Sequence, residues 1–404
     1  MWLEGASERF ESAAMQREPV SVGILGCGHV SDQYLDGCSL FDGIRVVACA
    51  DLDVDRARAK AAAHGVPAAC SPPELLADPG VELVVNLTPP LQHAAAGLEA
   101  MRMGKHVWSE KPLAATLEDA RELLETARGS GLRLGCAPDT FLCGGLQAAA
   151  RLVDEGWIGE PVAAVAFVSE HGYEHFHPDV DAFYGPGGGP ALDLGPYYVT
   201  SLVTTLGPVA RVSGCGRASF PERVRGAGPR RGEPIRVEVP THVSGVLELE
   251  SGALATVLMS WDLWSTRLPY VELYGTRGSL ALPNPDEYDG APAVRVAGPE
   301  ELRQPPPAPG ALPWAEVPPA FGAPVARGIG IADMADAIRS GRAHRASAEL
   351  AYHVLEVLLA LRRSAQEGRH VDVESRCSRP APVAPAPEGP DGWLPALAAR
   401  PGCA

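Results

Sequence analysis

The stretch Val20-Ser21-Val22-Gly23-Ile24-Leu25-Gly26-Cys27-Gly28-His29-Val30-Ser31 decides the fold. A continuous apolar run enters a Gly-x-Gly turn and then a helix-forming sequence. A run without polar alternation reads as a strand buried on both faces. Gly26 permits the tight turn, and Gly28 lets a pyrophosphate approach the backbone. With Cys27, His29 and Val30 these residues form a phosphate-binding turn, and the N-terminus of the next helix offers free N–H groups and a positive dipole end. Ser31 stands where the fingerprint has Gly or Ala, and is small enough for close helix–strand packing. Asp51 closes a second run 25 residues after Gly26, where a carboxylate meets the adenosine ribose hydroxyls. It would repel a 2′-phosphate, and Leu52 and Asp53 follow it rather than an arginine. The expected cofactor is therefore NAD rather than NADP.

Working outward, Arg45–Ala50, Glu82–Leu87, His106–Ser109 and Arg133–Ala137 repeat the apolar pattern. Helical segments lie between them, such as Asp55–His64 stopped by Gly65 and Leu117–Ser130 stopped by Gly131. This alternation predicts a parallel α/β sheet. After residue 140 the pattern changes. Leu146–Glu155 reads as a helix and residues 161–169 as a strand. Residues 242–261 read as a hairpin turning at Glu250-Ser251-Gly252, with further strands at Val271–Tyr274 and Ser279–Leu282. The predicted fold is an N-terminal Rossmann dinucleotide-binding α/β domain plus a C-terminal α+β domain with a large, mostly antiparallel open sheet. The expected boundaries are 1–19 for an extension, 20–140 for the Rossmann domain, 141–375 for the substrate and oligomerisation domain and 376–404 for a disordered Pro/Ala-rich tail. Residues 297–319 hold eight prolines and read as a surface loop or lid, and Ala348–Gln366 reads as an amphipathic helix closed by Gly368.

Composition excludes several functions. There are 34 basic against 50 acidic residues, a balance of −16, and no basic run, which argues against nucleic acid. No apolar stretch is long enough to span a bilayer, and the first twenty residues lack the apolar centre of a secretory signal. Nine cysteines, an odd number without a Cys-x-x-Cys pair, predict reduced thiols and a cytoplasmic location. Only three residues are lysines: Lys60, Lys105 and Lys111. Arginine replaces lysine wherever a solvated charge suffices, but not where a titratable amine is needed. Two of the three fall in Gly104-Lys105-His106-Val107-Trp108-Ser109-Glu110-Lys111-Pro112. There the fourth strand delivers Glu110 and Lys111 to the edge where open α/β sheets bind ligands. The adjacent Glu110 is expected to hold the Lys111 ammonium.

Three blocks carry a resemblance. The Gly-Cys-Gly turn, the run Asn86-Leu87-Thr88-Pro89-Pro90 with His93 after it, and the Glu110-Lys111-Pro112 block resemble the Gfo/Idh/MocA family. These are NAD(P)-dependent oxidoreductases of sugars, inositols and related polyols. The likeness continues through Gly187-Gly188-Gly189-Pro190-Ala191-Leu192-Asp193-Leu194-Gly195-Pro196-Tyr197-Tyr198. It implies that Leu87, Thr88, Pro89, His93, Glu110 and Lys111 join the cofactor site. It also implies a catalytic set built from the lysine, an aspartate and a histidine four residues later. Lys111 and Asp193 match, whereas Tyr197 replaces the histidine, as in the glucose–fructose oxidoreductase branch and some sugar 3-ketoreductases. A phenol can exchange a proton with a sugar hydroxyl, and a nearby ammonium would lower its pKa. The acid/base is then Tyr197 assisted by Lys111, or Lys111 itself.

Ser169–Asp179 is dense in polar aromatic residues, so His171, His175 and His177 join Asp139, Asp193 and Tyr197 as expected substrate contacts. The i, i+2 spacing of His175 and His177 is no metal signature, and no metal is expected. Residues 161–200 contain no Arg or Lys, which favours a neutral or cationic sugar over a nucleotide sugar unless Arg217, Arg223 or Arg225 intervenes. The expected reaction is hydride transfer between nicotinamide and a ring hydroxyl or ketone of a sugar, inositol or amino sugar. The alternatives are a non-catalytic NAD-bound sensor, or an enzyme with tightly held NAD performing transient oxidation, as in aldose–aldose oxidoreductases or glycosidases. The resemblance further implies a homodimer or homotetramer.

Overall fold

The computed structural model describes residues 18–298, 313–322 and 326–383. Six parallel strands form the first sheet: β1 (Val20–Leu25), β2 (Ile44–Ala50), β3 (Ala68–Cys70), β4 (Leu83–Asn86), β5 (His106–Ser109) and β6 (Leu134–Cys136). Their order is β3-β2-β1-β4-β5-β6. Every residue of β1 and β4 is buried, which is why both read as unbroken apolar runs. The three residues of β3, Ala68-Ala69-Cys70, are half-buried or exposed at the sheet edge and lack the large Val, Ile or Leu side chains of the other runs, so the sequence reading missed this strand.

Helices α1 (Ser31–Cys38), α2 (Val54–His64), α3 (Pro72–Ala77), α4 (His93–Arg102) and α5 (Leu117–Ser130) connect the strands. Their ends follow local chemistry. Asp53 caps α2 by accepting from the N–H groups of Asp55 and Arg56, and Thr116 caps α5 through Asp119 N–H. Gly65 and Gly131 end α2 and α5 in the left-handed conformation, φ 67° and 69°.

The second domain contains α6 (Gly144–Asp154), β7 (Pro161–Ser169), α7 (Asp181–Tyr184), α8 (Pro190–Asp193), α9 (Gly195–Leu206), β8 (Val209–Arg217), β9 (Glu222–Val224), β10 (Pro234–Arg236), β11 (His242–Leu249), β12 (Leu254–Ser260), β13 (Val271–Gly275), β14 (Gly278–Leu282), β15 (Ala293–Val296) and β16 (Ala315–Glu316). The chain closes with α10 (Ile329–Ser340), α11 (Ala348–Glu367) and β17 (Val371–Asp372). A nine-stranded sheet runs β16-β15-β14-β13-β7-β12-β11-β8-β17 and is antiparallel except where β7 meets β12. Its strands alternate, as in β12, where Ala255 and Val257 are buried between exposed Leu254 and Thr256. One face is covered by α9 and α11. All twelve residues of α9 are buried, which fixes Asp193 and Tyr197 at its entrance.

Residues 326–347, within the expected second domain, pack against the first sheet, where Ser347 bridges to Gly135. Gly328 and Gly330 donate backbone N–H groups to Asp139, and Arg345 pairs with buried Asp333. A Cβ on Gly330 would lie 2.2 Å from the Trp108 ring, so only glycine lets α10 pack there. Residues 376–383, within the expected tail, end in contacts with the folded body. Arg345 donates to the carbonyls of Ala381 (2.8 Å) and Pro382 (2.9 Å), Gln147 accepts from Val383 N–H (2.7 Å), and Val383 is buried. Residues 384–404, residues 1–17 of the expected extension and 299–312 of the Pro-rich loop lie outside the described residues. No described helix is long and apolar enough to cross a membrane, and the eight described cysteines are free thiols.

Candidate active site

The glycine turn is built by exclusion. Gly26 has φ 101°, and a Cβ there would lie 2.8 Å from the Leu87 carbonyl. A Cβ on Gly28 would meet nothing within 4 Å, so that backbone is open to a ligand. Ser31 is buried, and its hydroxyl donates to the Gly28 carbonyl at 2.7 Å. Asp51 braces the turn from β2, accepting from the N–H groups of Cys27 (2.8 Å) and Asp53 (2.9 Å). An open cavity of about 380 Å3 lies beside it, lined by Cys27, Gly28, His29, Asp32, Arg56 and Lys60. Close-approach glycines, an uncapped helix start after Val30 and a carboxylate at the end of β2 suit a dinucleotide. Arg56, which the reading of Leu52 and Asp53 passed over, stands 3.7 Å from Asp51.

The turn after β4 follows the same logic. Asn86 accepts from the Thr88 hydroxyl (2.7 Å) and donates to the His93 carbonyl (2.9 Å), setting Leu87-Thr88-Pro89 over Gly26. His93, expected at the cofactor site, has a buried ring. It is 1% exposed, with its ring wedged between the carbonyls of Pro112 (2.7 Å) and Thr88 (2.8 Å), and burial lowers its pKa. It ties the β4 and β5 turns together.

At the end of β5, Lys111 Nζ donates to both Asp193 Oδ1 and the Asp193 carbonyl, each at 2.7 Å. The same ammonium lies 5.3 Å from the centre of the Tyr197 ring. Asp193 ends α8 and Tyr197 opens α9, so their four-residue spacing presents both to Lys111. Burial opposes the Lys111 charge, but Asp193, Tyr197 and Glu110 outweigh it, and its pKa rises above the ordinary value. Tyr197 is 3% exposed. Burial pushes its phenol up to about 12, against the pull of Lys111 and Arg327. The expected lowering by an adjacent ammonium is thus overturned by desolvation.

Glu110 does not hold the Lys111 ammonium. One carboxylate oxygen accepts from the Lys111 backbone N–H (2.9 Å) rather than from its ammonium, and the other from Tyr34 Oη (2.7 Å) and Arg327 Nη1 (2.8 Å). Arg327, from the strap before α10, also donates through Nε to Gln33 (2.7 Å) and through Nη2 to Tyr197 Oη (3.2 Å). Sequence reading missed Arg327. Its only local signal is the Arg327-Gly328-Ile329-Gly330 spacing before a helix, and its partners are up to 294 residues away.

Asp139 is not free for substrate. It is 1% exposed and accepts from Tyr288 Oη (2.5 Å), Gly330 N–H (2.9 Å) and Gly328 N–H (3.3 Å), so it caps the strap. Of the three histidines, His171 stacks on Trp264 with ring centroids 3.4 Å apart, and His175 packs against Phe176. Neither is joined to Lys111, Asp193 or Tyr197 by a hydrogen bond or ring contact among the described residues. His177 meets His29 of the glycine turn edge-on at 6.2 Å. The groups that the fold does bring beside the Lys111 centre are Glu170, Tyr173 and Asp286. Burial raises the pKa of both carboxyls, Glu170 under the influence of Asp286 and Asp193, Asp286 under that of Asp193 against Lys111 and Arg327. Burial and the charges of Asp193 and Glu170 likewise raise the Tyr173 phenol. Arg223 is committed to Glu174 and Asp262, both at 2.6 Å, and Arg225 to Asp181. No described group of three His, Cys, Asp or Glu side chains is arranged to hold a metal.

Residues 20–137 match the model of an oxidoreductase family with an NAD-binding Rossmann fold, and residues 146–281 match the GFO/IDH/MocA C-terminal domain. The chain is 28% identical over 274 residues to 1,5-anhydro-D-fructose reductase of Ensifer adhaerens, spanning 64% of this chain and 74% of that one. It is 29% identical over 294 residues to trans-1,2-dihydrobenzene-1,2-diol dehydrogenase of Bos taurus, spanning 71% and 81%. Its fold superposes on levoglucosan dehydrogenase, solved with NADH and levoglucosan, with a TM-score of 0.75 at 20% identity over 88% of this chain and 100% of that one.

Proposed function

The chain belongs to the Gfo/Idh/MocA oxidoreductases, and on that footing we propose that it exchanges a hydride between NAD and a ring CH–OH or ketone of a sugar-like substrate, with Tyr197 as the acid/base. The observation that carries this reading is the Lys111–Asp193 ion pair set against the Tyr197 ring at the C-terminal end of β5. When bound, the nicotinamide supplies or accepts the hydride at C4. The residues of the chain manage the proton. Lys111, with its raised pKa, stays an ammonium and donates a hydrogen bond to the substrate oxygen rather than taking its proton. Asp193 orients that ammonium. Tyr197 gives its phenolic proton to the oxygen in ketone reduction and recovers it in alcohol oxidation.

The carboxylates Glu170, Asp193 and Asp286 favour a polyol, inositol or amino sugar. The commitment of Arg223 and Arg225 to internal ion pairs disfavours a sugar nucleotide. Asp51 favours NAD, and self-association into a dimer or tetramer, checked by light scattering, completes the reading. The test is NAD reduction across inositols, hexoses, anhydro sugars and amino sugars, repeated with Lys111→Met and Tyr197→Phe. The reading predicts turnover with at least one class and its loss in both variants; turnover only with nucleotide sugars, or unaffected by Lys111→Met, would overturn it.

A further inference from the structure

Arg327 is built in rather than adventitious. Its main chain runs against α1 so closely that a Cβ on Gly37 would lie 1.5 Å from the Arg327 carbonyl oxygen. The next residues are pinned by Asp139, which accepts the N–H groups of Gly328 and Gly330. From this fixed backbone the guanidinium reaches both domains. It meets Gln33 and Glu110 in the first and Tyr197 in the second, and it lies 5.9 Å from the centre of the Tyr34 ring. The side chain is 17% exposed. A planar fork with several donors suits three acceptors set at different angles, and a guanidinium keeps its charge at every working pH.

We propose that Arg327 is a positioning residue of the acid/base centre: braced on Glu110 and Gln33, it fixes the Tyr197 hydroxyl and stabilises the phenolate left when that hydroxyl gives up its proton. The inference rests on Tyr197 being the acid/base. As Tyr197 releases its proton to a substrate oxygen, the O–H bond breaks and the electron pair stays on the phenolic oxygen. Two cations lie against Tyr197: Arg327 from the strap, 3.2 Å from its oxygen, and Lys111 just after β5, 5.3 Å from its ring centre. Opposing them are Glu110 just after β5, Asp193 on α8, Asp286 and Tyr288 on the loop after β14, and Tyr34 on α1. Glu110 is already paired with Arg327, so its negative charge anchors the guanidinium more than it repels the phenolate.

The test places 3,5-difluorotyrosine, whose phenol titrates nearer neutrality, at position 197 of the full chain with NAD bound. Its phenolate absorbance is followed against pH with Arg327 intact, as Arg327→Met and as Arg327→Lys. Loss of the guanidinium should raise the midpoint by about one unit, and Arg327→Lys should recover part of that shift. With any sugar turned over, Arg327→Met should lower kcat by about tenfold to a hundredfold and leave KM nearly unchanged. A midpoint that stays put in Arg327→Met, or in Arg327→Gln if the Met variant does not fold, overturns the proposal. A shifted midpoint together with full turnover in Tyr197→Phe would instead overturn the assignment of Tyr197 as the acid/base.

Discussion

Gly37 and Arg327 lie 290 residues apart in sequence, yet a side chain on one would strike the carbonyl oxygen of the other. Glycine inside a helix sacrifices about 1 kcal/mol of helix propensity, and here that is offset by direct backbone contact between α1 and the strap. Gly37→Ala should push the strap away and lower stability by about 1–3 kcal/mol. Differential scanning calorimetry should show the fall, and turnover should fall with it. A variant as stable and active as the parent would show that the contact is dispensable.

Lys111→Met removes the cation beside Asp193 and Tyr197. Turnover should drop by about a hundredfold to ten-thousandfold, while NADH binding followed by fluorescence changes far less. Lys111→Arg should not restore it, because a planar guanidinium cannot replace the compact ammonium held by two Asp193 oxygens.

With the Tyr197 phenol raised to about 12, its neutral form dominates across the physiological range. Ketone reduction, which needs the protonated phenol, should stay flat as pH rises until it nears that value. Alcohol oxidation needs the phenolate, the minor form below the pKa, and should climb by about tenfold per pH unit. Initial rates measured in both directions check this; an oxidation rate that is flat with pH would contradict it.

His93 is buried with its ring between two carbonyls. His93→Leu should therefore cost stability, about 1–3 kcal/mol, by stranding a buried carbonyl oxygen. Urea denaturation reads that loss. A stable variant with a raised KM for NAD would restore His93 to the cofactor site.

Asp51 accepts the N–H groups of Cys27 and Asp53 and carries the charge expected to reject a 2′-phosphate. Asp51→Asn should weaken NAD binding by about tenfold and narrow the gap to NADP, which Arg56 at 3.7 Å would help hold. Isothermal titration with both cofactors measures the change, and an unaltered preference would place the selectivity elsewhere.

The sequence by itself determined the parallel sheet, the glycine turn and the acid at the end of β2, and its resemblance to the family implied the Lys111–Asp193–Tyr197 set. The first three are written locally, in buried runs such as Val20–Leu25 and in turn glycines such as Gly26, whereas Lys111 and Asp193 are 82 residues apart and meet only in the fold. Tertiary structure decided which neighbours these residues meet. It paired the Glu110 side chain with Arg327 and that of Asp139 with the strap, buried His93 and brought Glu170 and Asp286 beside Asp193. It also set the sign of the Tyr197 shift, because burial outweighed two nearby cations. The physical reason is common to all of these. Hydrogen-bond partners and desolvation depend on segments that are far apart in the chain and meet only in the fold, whereas strand burial and turn geometry are dictated by adjacent residues.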